Sequence, residues 1–239
     1  MDLDSLAIKV SRSENLPVLP QIVSSVMKLA DDPDASARSM ERIIERDPAI
    51  AAKILRVANS SLYGVSQIPS IARAISVLGL NSIRSLVIGV AYQQIIAGRE
   101  QAKSFNKLDF WKHSLAVATA ARIIAKIKLP AKAEELYLAG MMHDVGMLVL
   151  DRFCPNEFDQ ALQYARQERI PIYQAERRLF GFDHADVGGL LAEKWGLTPL
   201  MTGAVRYHHS VIQDGNHGET TAMVAAANYL ASAAGMPNN

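Results

Sequence analysis

The histidines are the strongest candidates for a functional site in this sequence. All six lie beyond residue 105, at His113, His143, His184, His208, His209 and His217. The run Met141-Met142-His143-Asp144-Val145-Gly146 sets a carboxylate beside an imidazole in apolar surroundings. Because an unpaired buried carboxylate is costly, Asp144 needs a metal ion, another cation or backbone donors as its partner. Imidazole and carboxylate together suit iron, manganese, zinc or nickel.

The spacing of these residues is only moderately specific for a metal site. A single histidine on an apolar helix face is usually a hydrogen-bonded core residue. Adjacent helical residues point in different directions, so His208 and His209 are not expected to aim both rings the same way, and one of them is a candidate structural residue. His217 lies in a Gly- and Asn-rich stretch and is predicted to be a loop residue. The set as a whole still favours a site in the interior of a helical bundle.

Helical periodicity dominates the chain and predicts the helices that carry these side chains. Apolar residues recur at three- and four-residue intervals, as in Ile22, Val26 and Leu29, and strand signals are weak. The pair Asp47-Pro48 is typical of a helix start. Beyond residue 105 we predict helices over 110–127, 132–150, 157–168, 172–180, 184–195, 199–207 and 219–233. The prediction is an all-α fold with two lobes, residues 1–105 and 106–239, that meet in the polar stretch 99–107.

The composition excludes several classes of protein. Lys plus Arg number 25 and Asp plus Glu 24, a balance that argues against a dedicated nucleic-acid surface. The single cysteine, Cys154, excludes a disulfide within the chain and fits a reducing compartment, and we interpret it as a buried structural thiol. The polar N-terminus lacks the apolar core of a signal peptide, and no apolar stretch is long enough to cross a membrane. We therefore expect a cytoplasmic protein without a membrane span.

Motifs in both lobes resemble known families. His113-Ser114, His143-Asp144-Val145-Gly146, the run DHADVG at 183–188 and Tyr207-His208-His209 resemble the HD superfamily of metal-dependent phosphohydrolases. LPVLP at 16–20, DP at 47–48, NSSLYG at 59–64 and AISVLG at 74–79 resemble the HDOD family, the HD-related output domain of bacterial signalling proteins. The resemblance covers about residues 16–233.

The resemblance implies a two-lobed, all-helical, HD-domain-like fold with signalling proteins as partners and a nucleotide or phosphoester as a candidate ligand. HDOD domains are usually regarded as output or scaffold modules, whereas the related HD-GYP phosphodiesterases bind divalent metals and hydrolyse cyclic di-GMP. Carried over by motif, the metal ligands would be His113, His143, Asp144, His184, His208 and His209.

Three departures separate this chain from the active relatives. Met147 stands where they have lysine, Asn228 stands where they have aspartate, and no Gly-Tyr-Pro segment follows His209. These departures favour a regulatory module that acts through protein contacts and carries a degenerate HD-type metal site. The histidine set keeps the alternative open, a metal-dependent phosphohydrolase acting on a nucleotide or cyclic dinucleotide, so no catalytic residue is assigned. Asp186 lies two positions after His184 and is expected to be solvated or to cap a helix.

Overall fold

The computed structural model describes residues 2–12, 21–30, 36–60, 67–96 and 102–236, and every regular element within these ranges is a helix. The prediction of an all-α fold is confirmed. The chain divides into two compact units, one within Met1–Pro17 and Gly98–Asn239 and one within Val18–Ala97. We call them the histidine unit and the small unit. No helix of the described ranges combines the length and the apolar character that crossing a bilayer requires.

The bounds of these units differ from the predicted lobes at 1–105 and 106–239. Helix α1 (Leu3–Arg12) belongs to the histidine unit, and its Leu6 is buried. The segment before residue 107 is also fixed to this unit, because the Ala102 N–H donates to Asp151 over 2.8 Å and the Ser104 N–H donates to Asp159 over 2.7 Å. Part of the polar stretch predicted to separate the lobes, residues 99–101, lies outside the described residues.

The small unit is built around one helix. It contains α2 (Gln21–Ala30), α3 (Ala37–Glu45), α4 (Pro48–Ala58), α5 (Ile71–Leu78) and α6 (Leu80–Ile96), and α6 contacts each of the other four. Its buried positions therefore lie on several sides of the helix rather than along one stripe: Ile83, Val87, Ile88, Val90, Ala91 and Tyr92. The predicted helix start at Asp47-Pro48 is confirmed, because the Asp47 carboxylate accepts hydrogen bonds from the backbone N–H groups of Ala49 and Ile50.

Asn59 joins the end of α4 to the residues before α5. Its side-chain amide donates to the Leu55 and Ile68 carbonyls, and its side-chain oxygen accepts from the Ile68 N–H. This explains the asparagine that opens the NSSLYG motif as a structural bridge. The rest of that motif beyond Ser60, and the LPVLP motif at 16–20, lie outside the described residues.

The histidine unit packs its helices in a continuous set of contacts. It contains α7 (Lys107–Lys128), α8 (Ala133–Met142), α9 (Val145–Phe153), α10 (Pro155–Glu168), α11 (Ile172–Phe180), α12 (His184–Lys194), α13 (Pro199–Tyr207) and α14 (Gly218–Ala233). Helix α7 packs against α8 and α14, α12 packs against α9 and α13, and α13 also contacts α8 and α14. These contacts bring the turn between α8 and α9, the start of α12 and the end of α13 toward one interior.

The predicted single helix over 132–150 is wrong, because the chain breaks it at His143-Asp144. Helix α8 ends at Met142 and α9 begins at Val145. Asp144 has φ −94° and ψ 14°, and the Met147 N–H bonds to the Asp144 carbonyl three residues back, as in a turn. The apolar pattern runs through both helices without interruption, so periodicity alone does not reveal the break. The predicted bounds of α11 and α13 match the structure.

Candidate metal centre

The Asp144 carboxylate lies at the centre of a buried ring of imidazoles. Its Oδ2 is 3.1 Å from His143 Nε2 and 3.6 Å from His113 Nε2. Its Oδ1 is 3.1 Å from His184 Nε2 and 3.3 Å from His208 Nε2. The structure therefore places four of the five predicted histidine ligands within 3.6 Å of the predicted carboxylate ligand.

His209 completes the group from the outer side. Its Nε2 is 3.0 Å from His184 Nε2, and its ring centroid is 4.0 Å from that of His208. Both rings reach the same centre, in contrast to the expectation that adjacent residues would diverge. The reason is that His208 and His209 form a turn after α13 rather than a stretch of regular helix.

The four inner histidines share one arrangement of hydrogen bonds. In each ring Nδ1 contacts an oxygen acceptor, and the partners are Met236 O for His113 (2.6 Å), Gly140 O for His143 (2.8 Å), Glu176 Oε2 for His184 (2.6 Å) and Val205 O for His208 (2.9 Å). Because carbonyl and carboxylate oxygens only accept, Nδ1 carries the hydrogen. In a neutral ring Nε2 then presents its lone pair to the centre, which is the usual arrangement of metal-ligating histidine.

The donor set fits a metal. The Nε2 atoms of His113, His143 and His208 are buried, and within the described part of the chain they make no hydrogen bond. Lone pairs that face a carboxylate repel it, so the arrangement is favourable only with positive charge between them. Two groups of possible ligands share Asp144, and within each group the ligand atoms lie within 4.8 Å of one another. We call His113, His143 and Asp144 the first metal position, and Asp144, His184, His208 and His209 the second metal position.

Without a cation, the cluster shifts the charge states of its members. Burial lowers the pKa of His143 to about 4, although the adjacent Asp144 opposes the shift. Burial alone would raise the pKa of Asp144, but His143, His184 and His208 outweigh it and hold that pKa well below the usual range. His184 is buried too, yet Glu176 and Asp144 raise its pKa well above the ordinary value. A proton on His184 is therefore the natural occupant when no metal is bound.

Glu176 is the site residue that the sequence interpretation missed. It lies on α11, is fully buried, and accepts hydrogen bonds through Oε2 from both the backbone N–H and Nδ1 of His184. Burial raises its pKa, against the opposing effect of His184. The available signal was an acid on the apolar face of a helix, since Ile172 and Ala175 are buried beside it in the same turn.

The other residues weighed from the sequence lie outside the cluster. The capping role expected for Asp186 is confirmed, because its carboxylate accepts from the Asp183 N–H while Asp183 accepts from Ala185 and Asp186. His217 lies in the turn before α14, and Cys154 is a buried thiol between α9 and α10. Met147 is fully buried in the first turn of α9, and Asn228 is half-buried on α14.

Relatives support the same fold and family. A curated protein of Treponema pallidum with no assigned function is 21% identical over 202 residues, and the chain spans only 39% of its length. An HDOD domain protein of unknown function from Geobacter sulfurreducens is 30% identical, with a TM-score of 0.89 over 98% of this chain and 78% of its own.

Two further solved structures are 25% identical to this chain. A candidate phosphohydrolase of Shewanella amazonensis gives a TM-score of 0.77 over 95% of this chain and 80% of its own. The MmoQ response regulator of Methylococcus capsulatus gives a TM-score of 0.50 over 90% of this chain and 86% of its own.

The family model for the HDOD domain matches residues 16–211. The chain therefore belongs to the HDOD family.

Proposed function

We propose that this chain is an output module of bacterial signal transduction that acts through protein contacts, with a metal centre that stabilises the histidine unit rather than turning over a substrate. The proposal rests mainly on the closure of the metal centre to solvent. His113, His143, Asp144 and His184 are 0% exposed and His208 is 4% exposed. A phosphoester would have to reach the ions held there, and these five ligands leave it almost no exposed surface.

The residues beside the centre support the same conclusion. Met147 fills a buried position near Asp144 with an uncharged side chain, so a phosphate group would find no cation there. Asn228 offers a neutral amide where a carboxylate would bind a divalent ion more strongly. Charge placed where a phosphoryl group reacts usually supplies a large part of the rate enhancement, so its loss favours the regulatory role.

The metal centre would be held by residues from several helices. His113 would hold an ion from α7, the His143-Asp144 turn from between α8 and α9, His184 from the start of α12, and His208 and His209 from the end of α13. A bound divalent ion supplies positive charge that these ligands lack and can also lower the pKa of a coordinated water. The chain's own contribution is to orient each Nε2 and to exclude water, so that binding stabilises the packing of these helices.

The alternative function is a metal-dependent phosphohydrolase acting on a nucleotide or cyclic dinucleotide. Two observations favour it. The ligand set is more extensive than helix packing alone requires, and a relative 25% identical to this chain is named as a candidate phosphohydrolase. This function requires the closed centre to open toward solvent on the side of His209, the half-buried member of the group.

Turnover measurements distinguish the two functions. Protein reconstituted with manganese or with ferrous iron is incubated with cyclic di-GMP, nucleoside triphosphates and nitrophenyl phosphate mono- and diesters. The matched control is the His143→Ala, Asp144→Ala double variant under identical loading. We expect the loaded wild type to release no more product than the control. Metal-dependent turnover that is absent from the double variant would show that the chain is a phosphohydrolase and not a regulatory module without turnover.

A further inference from the structure

We propose that α11 is a positioning helix that serves the second metal position and not the first. Two of its residues, three apart in sequence, contact His184 and His209. Within the described residues, these are the two histidines of that position whose rings make no hydrogen bond to a backbone carbonyl. Glu176 bonds to His184, and Tyr173 stacks on His209. The inference rests on the proposed metal centre and assigns a role to two residues outside its ligand set.

Glu176 fixes both the backbone and the ring of His184. One oxygen, Oε2, accepts from the His184 N–H at 2.9 Å and from its Nδ1 at 2.6 Å. The other oxygen, Oε1, is buried and makes no hydrogen bond within the residues that the structure describes. A buried carboxylate with only one satisfied oxygen destabilises a fold compared with an apolar side chain. We explain the presence of Glu176, despite this cost, by its orienting of His184 as a metal ligand, as in carboxylate–histidine–metal triads.

Tyr173 fixes the plane of His209. The two ring centroids are 4.1 Å apart and the planes are inclined by 16°, so the rings are stacked. The Tyr173 hydroxyl accepts a hydrogen bond from the Gln174 side chain at 3.1 Å, which limits sideways displacement of the ring. His209 is the half-buried histidine of the group, so its ring is less restricted by packing than the other rings. A stacked neighbour therefore limits the motion of this ring more than it would limit that of a buried one.

The first metal position is held by different means. His113 and His143 bond through Nδ1 to the backbone carbonyls of Met236 and Gly140. No substitution of an α11 side chain removes these two acceptors. Loss of Glu176 or Tyr173 should therefore weaken one ion and leave the other in place, a selectivity that a general loss of stability would not produce.

The test is equilibrium dialysis of the full chain against manganese, with bound ions counted per chain and folding followed by circular dichroism. The variants are Glu176→Gln, Tyr173→Ala and the conservative Tyr173→Phe, which keeps the stacked ring. Arg178→Ala is the matched control, because Arg178 is an exposed residue of the same helix. A Glu176→Gln, His113→Ala double variant removes support from both positions.

We expect two ions on the wild type, Arg178→Ala and Tyr173→Phe. Glu176→Gln should weaken one of the two ions about 10- to 100-fold, the range for loss of an outer partner of a metal-ligating histidine, and Tyr173→Ala should weaken the same ion less. The double variant should bind both ions more weakly than the wild type. Glu176→Gln with two ions at wild-type affinity, or with both ions weakened equally, overturns the role of α11. Fewer than two ions on the wild type contradicts the metal centre itself.

Discussion

Gly146 lies directly against the carbonyl oxygen of His184. A Cβ atom on Gly146 would stand 1.9 Å from that oxygen and 2.8 Å from the Gly188 nitrogen. Helix α9 therefore meets α12 backbone to backbone at the point where Asp144 and His184 enter the centre. The glycine of the His-Asp-x-Gly run is required by this close approach and not by its backbone angles.

Gly146→Ala should destabilise the metal-free protein by at least about 3 kcal/mol, because the methyl group meets backbone atoms that cannot turn aside. Thermal unfolding in chelator measures the loss. Gly215→Ala is the matched control, since nothing lies within 4 Å of a Cβ built there. Equal melting temperatures for the two variants would show that α9 and α12 can separate without cost.

The stability of the metal-free protein should decrease as the pH falls from 6.5 toward 4. In the folded protein the pKa of His143 is about 4, below its ordinary value of 6.5. As the pH falls, the unfolded state therefore binds a proton at His143 before the folded state does, and this stabilises the unfolded state relative to the folded one. The raised pKa of His184 acts in the opposite direction only above pH 6.5, and adds no slope below it. Between pH 7 and 4.5 the His143 contribution amounts to about 2 kcal/mol.

Urea unfolding in chelator at pH 7 and pH 4.5 measures this dependence. His143→Leu removes the titrating group but keeps the site apolar, so its loss of stability between the two pH values should be smaller than that of the wild type by the same amount. An identical loss in both proteins would mean that His143 is not held neutral by burial.

Metal binding at neutral pH should release about one proton per chain, because metal displaces the proton that Glu176 and Asp144 favour on His184. Titration calorimetry with manganese at pH 7 in two buffers of different ionisation enthalpy measures the number directly. Binding enthalpies that do not change with the buffer would exclude a protonated His184 in the metal-free state.

The chain segment after α14 should support the first metal position. Met236 O accepts from His113 Nδ1 at 2.6 Å, across 123 residues of sequence. A chain that stops after Ala234 lacks this acceptor, whereas a chain that stops after Met236 keeps that residue. We expect only the shorter chain to bind one manganese ion about tenfold more weakly. Equal affinities in the two truncated chains would show that Met236 does not support the first metal position.

Sequence patterns predicted the helical class, and the family resemblance supplied the candidate ligands, but neither predicted the local geometry that joins them. The candidate ligands follow from residue type and motif, and the bounds of α13 follow from helical periodicity. The break at His143-Asp144 could not be predicted from periodicity, because residues 136–142 and 145–150 on either side are all apolar. The sequence marks Glu176 only as an acid on the apolar face of α11, and its contact with His184 depends on how that helix packs. The Met236 carbonyl could not be predicted, because it is a backbone atom 123 residues from His113.

The metal content of the chain decides whether Asp144 and the histidines around it form a metal centre. Protein purified without chelator and dialysed against manganese is analysed by elemental mass spectrometry, beside Asp144→Asn, which keeps the shape of the shared ligand without its charge. We expect about two ions per wild-type chain, one for each group around Asp144, and fewer than one in the variant. A wild type without bound metal, or a variant that retains both ions, would contradict the proposed metal centre.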